Sequence, residues 1–144
     1  ISIRVCDGAD FMITSRHRYD LILVDGFDAD ARANRLDSVS FYLNCRARLS
    51  ADGMLCVNLL SRRKDFGKSL ARMQEAFEGH AIAFPSNDVG NAIALATKDH
   101  SPEPSVKDLS LAASALRKAT GLNLAPQLAR ISKSNHLPRG TLKI

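Results

Sequence analysis

Tyr19-Asp20-Leu21-Ile22-Leu23-Val24, closed by Asp25-Gly26, is the stretch on which the fold turns. Its last four positions before the stop are aliphatic, with no polar residue between them. A short apolar run without alternation, ended by a turn pair, predicts a strand covered on both faces, as in parallel sheets. Upstream, Ile1 to Cys6 alternates apolar with polar and predicts a strand stopped by Asp7-Gly8. A short helix from Ala9 to about Arg16 fills the gap, with Phe11 and Met12 inward. Downstream, a polar, alanine-rich loop spans Phe27 to Arg35. Asp37 or Ser38 then caps a helix running to about Leu49, with Val39, Tyr42 and Leu49 inward.

The same alternation continues. Asp52-Gly53 reads as a turn, and Met54 to Leu60 (MLCVNLL) as a second buried strand. Between Asp65 and Phe77, the residues Phe66, Leu70, Met73 and Phe77 recur at steps of four, three and four. That spacing predicts an amphipathic helix, with Gly79 just past its end. His80 to Phe84 and Ala92 to Thr97 are two strands joined by the bend over 85–90. With no helix between them they must pair antiparallel. The predicted class is α/β: a mostly parallel sheet with right-handed crossovers and a C-terminal antiparallel hairpin. Pro102 and Pro104 mark a break, which divides the chain into 1–100 and a helical extension, 101–144. In the extension Ser105 and Asp108 form a capping-box-like start, and Leu109, Ala113, Leu116 and Ala119 make the stripe. Gly121 is the stop, and Leu124, Leu128 and Ile131 predict one more short helix with Pro126 in its first turn. The segment from Asn135 on is expected to be loose.

Composition excludes several classes. The 144 residues are 45% hydrophobic and 24% charged, ordinary values for one globular domain. No apolar run approaches the roughly 18 residues of a membrane span, and no secretory leader opens the chain. Cys6, Cys45 and Cys56 are widely spaced, with no CxxC pair and no histidine cluster beside them. Reduced core thiols, no metal site and a cytoplasmic setting are therefore expected. The net charge of +5 is unevenly placed. Residues 1–100 carry 13 Lys/Arg against 13 Asp/Glu, and residues 101–144 carry 7 against 2. The basic tail lacks interleaved aromatics and its charges fall at helical spacing, which reads as a solvated helix face rather than a nucleic-acid surface. His17, His80, His100 and His136 share no face, Arg62-Arg63-Lys64 reads as a solvated helix entry, and no nucleophile elbow surrounds Ser61.

In open α/β sheets, ligands bind beyond the carboxyl ends of the parallel strands. Two acidic sites fall there: Asp7 after the first predicted strand, and Asp25 with Asp28 after the second. Asp7 also suits a plain turn former, bonded to its own backbone. Two carboxylates crowded at one strand end repel each other unless a cation lies between them, which makes Asp25 and Asp28 the stronger pair.

These residues carry a resemblance. Cys6-Asp7-Gly8-Ala9-Asp10-Phe11-Met12, followed by Tyr19 to Asp28 (YDLILVDGFD), resembles the spermidine synthase, or polyamine aminopropyltransferase, family. Leu36, Phe41-Tyr42 and the run from Leu49 to Leu55 (LSADGML) continue it in register, and Gly90-Asn91 to Thr97 extends it more weakly. The resemblance implies a Rossmann-like, S-adenosylmethionine-methyltransferase-type fold and a role for each candidate. Asp7 would accept a hydrogen bond from the adenine amino group of decarboxylated S-adenosylmethionine or of the product methylthioadenosine, and Gly8 would let the ring approach the backbone. Asp25 would take the proton of the attacking amine, and Asp28 would hold the reacting end of the di- or polyamine. No metal or other cofactor is required.

The family's loop continues with Pro and then Gly-Pro, where this sequence has Asp28-Ala29-Asp30-Ala31. The glycine-rich cofactor loop is absent from the 144 residues, so the chain reads as the C-terminal portion of such a domain, inactive alone. It would pair with the missing N-terminal segment or with a second copy. Two other readings remain: a methyltransferase-like S-adenosylmethionine-binding protein, in which Asp25 merely lines the cleft, and a non-catalytic interaction module with an open sheet edge.

Overall fold

The structure, a computed structural model, describes residues 1–27, 33–84, 90–98, 103–133 and 141–142. The chain forms two compact units, Ile1–His100 and Ser101–Ile144.

In the first unit the elements run α1 (Gly8–Thr14), β1 (Tyr19–Val24), a 3-10 turn (Asn34–Leu36), α2 (Val39–Arg48), β2 (Leu49–Leu60), α3 (Phe66–Ala76), β3 (Ala81–Ala83) and β4 (Asn91–Thr97). The sheet order is β1-β2-β4-β3. β1 and β2 are parallel, joined through α2, whereas β4 runs antiparallel to both β2 and β3. Three of the four strands therefore point the same way, and β4 is inserted against them. The β3–β4 pairing is the antiparallel one that the lack of an intervening helix requires.

One face of this sheet packs against α2 and α3. The aromatic and aliphatic side chains of Phe41, Tyr42, Leu49, Leu55, Val57, Met73 and Phe77 meet there, all buried. The stripe read from the sequence of α3 is this contact face, with Phe66 and Leu70 half-buried against the same cluster. Alanines dominate β3 and β4, and Ala81, Ala83, Ala94 and Ala96 are buried. Small side chains there leave room for Phe77 and Met73 from the helix.

Two expectations differ from the structure. Ile1 to Cys6 forms no strand; Ile1, Ile3 and Val5 are exposed. A strand exists only where a neighbour takes its backbone donors and acceptors, and no described strand lies beside this segment. For the same reason β1 is an edge strand. Its Ile22 and Val24 are half-buried on the core, but Leu21 is 53% and Leu23 70% exposed. The apolar run is a strand, as expected, yet the described residues cover only one of its faces. The second difference is that β2 begins at Leu49, not Met54. Tyr19 pairs with Leu49 and Leu21 with Met54, so the Asp52-Gly53 turn is an irregularity within the strand. Gly53 is needed at this bulge: a Cβ there would lie 2.9 Å from the Tyr19 carbonyl oxygen and 3.0 Å from the Ser50 nitrogen.

The second unit holds α4 (Val106–Thr120) and α5 (Ala125–Lys133), which pack on each other. Ser105 and Asp108 form a full capping box, and Gly121 closes α4 at φ 79°. Thr141 bridges back to Ser105. No residue of α4 is buried. Leu109 and Ala113 of the expected stripe are half-buried, whereas Leu116 and Ala119 are exposed. Among the described residues no helix is long and apolar enough to cross a membrane. The segment expected to be loose lies mostly outside the described residues, as does most of the bend over 85–90.

Candidate functional site

Asp25 follows the last residue of β1, at the carboxyl end of the parallel pair. The register aligns Val24 with Val57, so the next step along each strand sets Asp25 beside Asn58. The Asn58 amide Nδ2 donates to Asp25 Oδ1 at 3.0 Å. Asp25 is exposed, while Asn58 is half-buried within β2. A cavity of about 340 Å³ opens against Asp25, lined by Gly8, Phe11, Ile22, Leu36 and Phe41 among others. That is within the range of small-molecule sites, and a largely apolar wall with one carboxylate at its rim is their usual composition.

Asp7 sits at the start of α1 and is its N-cap. Its Oδ1 accepts from the amides of Ala9 at 2.8 Å and Asp10 at 3.1 Å. Its Oδ2 is 3.1 Å from the Arg35 guanidinium, which also reaches Asp10 at 2.5 Å. Arg35 therefore clamps the 3-10 turn onto the first turn of α1, and its guanidinium holds the Asp10 carboxyl below the usual carboxylate range. Both oxygens of Asp7 are engaged, so its turn-forming role is realised. Oδ2 still has a second lone pair for a ligand donor.

Leu36 joins the two acidic sites. A Cβ on Gly8 would come within 3.3 Å of Leu36 Cδ2, and one on Gly26 within 2.7 Å of Leu36 Cδ1. The two glycines thus admit Leu36 between the start of α1 and the end of β1. Gly8 and Asp25 line one cavity, and Asp7, Gly26 and Arg35 line its neighbour. Asp28, the fourth candidate, lies outside the described residues.

A third cluster was not anticipated. Ser38, not Asp37, caps α2. The Asp37 carboxylate instead accepts from Tyr42 Oη at 3.0 Å, Ser69 Oγ at 2.7 Å and Arg72 at 2.7 Å. It ties the entry of α2 to α3 below the carboxyl end of β2. Burial, then the Asp37 carboxylate, pushes the Tyr42 phenol up from its ordinary value. Nearby, Arg63 forms a bidentate pair with Asp65. These acids and bases neutralise each other, which is the pattern of a structural network. Among the described residues no group of three His, Cys, Asp or Glu side chains could hold a metal ion.

No protein-family profile matches the sequence. Among curated proteins, the polyamine aminopropyltransferases of Neisseria meningitidis serogroups A and B are each 33% identical to it over 129 residues, spanning 90% of this chain and 49% of theirs. That of Chromobacterium violaceum is 30% identical over 138 residues, spanning 96% of this chain and 53% of its own. The chain is a relative of the polyamine aminopropyltransferases. It spans about half the length of the curated relatives it matches.

Solved structures agree on the fold. Spermidine synthase from Thermotoga maritima matches with a TM-score of 0.64 and 19% identity over 90% of this chain and 45% of its own. A spermidine synthase in complex with the transition-state analogue AdoDATO gives 0.65 and 19% over 90% and 44%. Human methyltransferase-like protein 13 in complex with SAH gives 0.69 and 19% over 81% and 58%. At such identities the likeness is one of fold, the Rossmann-like α/β architecture common to these proteins.

Proposed function

We propose that this chain supplies the amine-activating strand end and the adenine-facing helix cap of an aminopropyltransferase site. The observation that carries the reading is Asp25: a carboxylate at the carboxyl end of a parallel strand, at the rim of an apolar cavity, oriented by a neutral donor. The kinship with polyamine aminopropyltransferases supports the same assignment.

The chemistry suits these groups. An aliphatic ammonium has a pKa of roughly 10, near that of Lys, so at neutral pH it has no lone pair to attack with. The Asp25 carboxylate attracts the ammonium, orients it and takes a proton as attack proceeds. The nitrogen lone pair then forms a bond to the aminopropyl methylene beside the sulfonium of decarboxylated S-adenosylmethionine. The carbon–sulfur bond breaks and its electron pair stays on sulfur, which leaves as the neutral thioether of methylthioadenosine. Holding nitrogen, methylene and sulfur in line supplies much of the rate. The apolar cavity at Gly8, Phe11 and Leu36 suits a planar purine, and Asp7 Oδ2 is the acceptor for its amino group. Asp28 would share the ammonium with Asp25. The exposed Leu21 and Leu23 face of β1 is the surface that the remaining half of such an enzyme, or a second copy, would cover.

A second reading is methyl transfer from S-adenosylmethionine, favoured by the likeness of fold to a methyltransferase-like protein. Product analysis on the full-length protein separates the two. Decarboxylated S-adenosylmethionine with putrescine is expected to give methylthioadenosine and the aminopropylated amine in equal amounts. S-adenosylhomocysteine formed from S-adenosylmethionine would establish the second reading instead. Neither product would leave the chain as a binding module.

A further inference from the structure

We propose that Asn58 is the positioning residue of the Asp25 carboxylate, aiming it at the amine without neutralising its charge. The proposal rests on the transferase reading of Asp25 and adds a residue to it.

Asn58 is an anomaly in its own segment. It is the single polar residue of Met54 to Leu60, and asparagine is depleted from strands. Its backbone is held on both sides: β2 lies between β1 and β4, with Asn58 paired to Ile93 and its neighbour Val57 paired to Val24. The strand continues to Leu60 after β1 has ended, so the amide is presented from rigid backbone to a carboxylate just beyond a strand end. Groups aimed from such backbone hold their geometry better than groups on loops. The 3.0 Å bond uses Nδ2 and Asp25 Oδ1. It leaves Oδ2 without a hydrogen bond from the described residues.

The residue type matters as much as the place. A lysine or arginine at position 58 would also hold Asp25, but would cancel the negative charge that draws in an ammonium. An amide donates a hydrogen bond and stays neutral. The cost is visible: Asn58 Oδ1 is buried with no partner among the described residues. Buried polar atoms are rarely left so, and each exception calls for an explanation. A leucine at this half-buried position would incur no such cost. The unmet acceptor is explained if the other end of the amide serves Asp25.

The test is a double-mutant cycle in the full-length protein. Asn58→Leu is expected to lower kcat roughly 10- to 100-fold through misalignment of the base, with methylthioadenosine affinity unchanged. Asn58→Gln, which keeps a neutral donor, should recover part of the loss. With Asp25→Asn already present, adding Asn58→Leu should cost nothing more. Losses that multiply, or an Asn58→Leu protein with full kcat, would overturn the proposal. If the wild type turns over no amine, the transferase reading fails on its own, and the pairing is decided by NMR. A slowly exchanging Asn58 side-chain amide that becomes fast in Asp25→Ala supports the positioning role. An amide that exchanges freely in the wild type refutes it.

Discussion

Asp25→Asn in the full-length protein should lower aminopropyl transfer about 10²–10⁴-fold, the usual worth of a positioned general base, while methylthioadenosine binds as before. The substitution is nearly isosteric, and the new amide oxygen can still accept from Asn58 Nδ2, so the end of β1 keeps its geometry. What disappears is the negative charge that holds the ammonium and the basic oxygen that takes its proton. The nucleoside contacts assigned to Asp7 and Gly8 belong to α1 and its cap rather than to the end of β1. Turnover and nucleoside affinity should therefore separate. Unaltered turnover would remove Asp25 as the base, and joint loss of both would mean that the substitution had disturbed the fold.

The second large effect concerns stability in alkali. Cys45 lies on α2 in the middle of the core and is completely buried. Burial pushes its thiol up to about 12 from an ordinary 9.0. Between those values the unfolded chain sheds a proton that the folded chain keeps. The contribution is thus complete below about pH 9 and is lost progressively as pH rises toward 12. Three pKa units correspond to about 4 kcal/mol at the upper limit. The Tyr42 phenol, pushed up by the same burial, adds to the loss in the same direction. Denaturant titrations at successive pH values should show stability falling steeply above pH 9. Cys45→Ala should start less stable at pH 7, because it leaves a cavity, but fall less steeply. Parallel curves for the two proteins would show that the thiol is not the group responsible.

Much of this architecture was legible because local chemistry and tertiary packing agree. The α3 stripe at Phe66, Leu70, Met73 and Phe77 is the face that meets the sheet, and the Ser105–Asp108 box with Gly121 brackets α4. The hairpin pairing of β3 with β4 follows from a connection too short to cross over. What was not legible depends on a neighbour. Ile1 to Cys6 has strand-like alternation but no described strand beside it, and YDLILV is apolar on both faces although the described residues cover one.

The candidate site divides the same way. Asp7 and Asp25 could be named as candidates from their positions after predicted strands, and Gly8 from the family resemblance. Asn58 and Arg35 could not, because each acts through a register or a turn contact that only the folded backbone defines. The lone asparagine within MLCVNLL was the one available hint for Asn58. Asp37 and Ser38 were both open as the cap of α2; the serine takes that role, and the Asp37 carboxylate reaches α3.

The most direct measurement is the position of the amine in a complex of the full-length protein with methylthioadenosine and putrescine. A putrescine nitrogen is expected within roughly 3.2 Å of an Asp25 carboxylate oxygen, with the purine in the cavity beside Gly8 and Phe11. An amine bound elsewhere, with Asp25 turned to solvent, would contradict it.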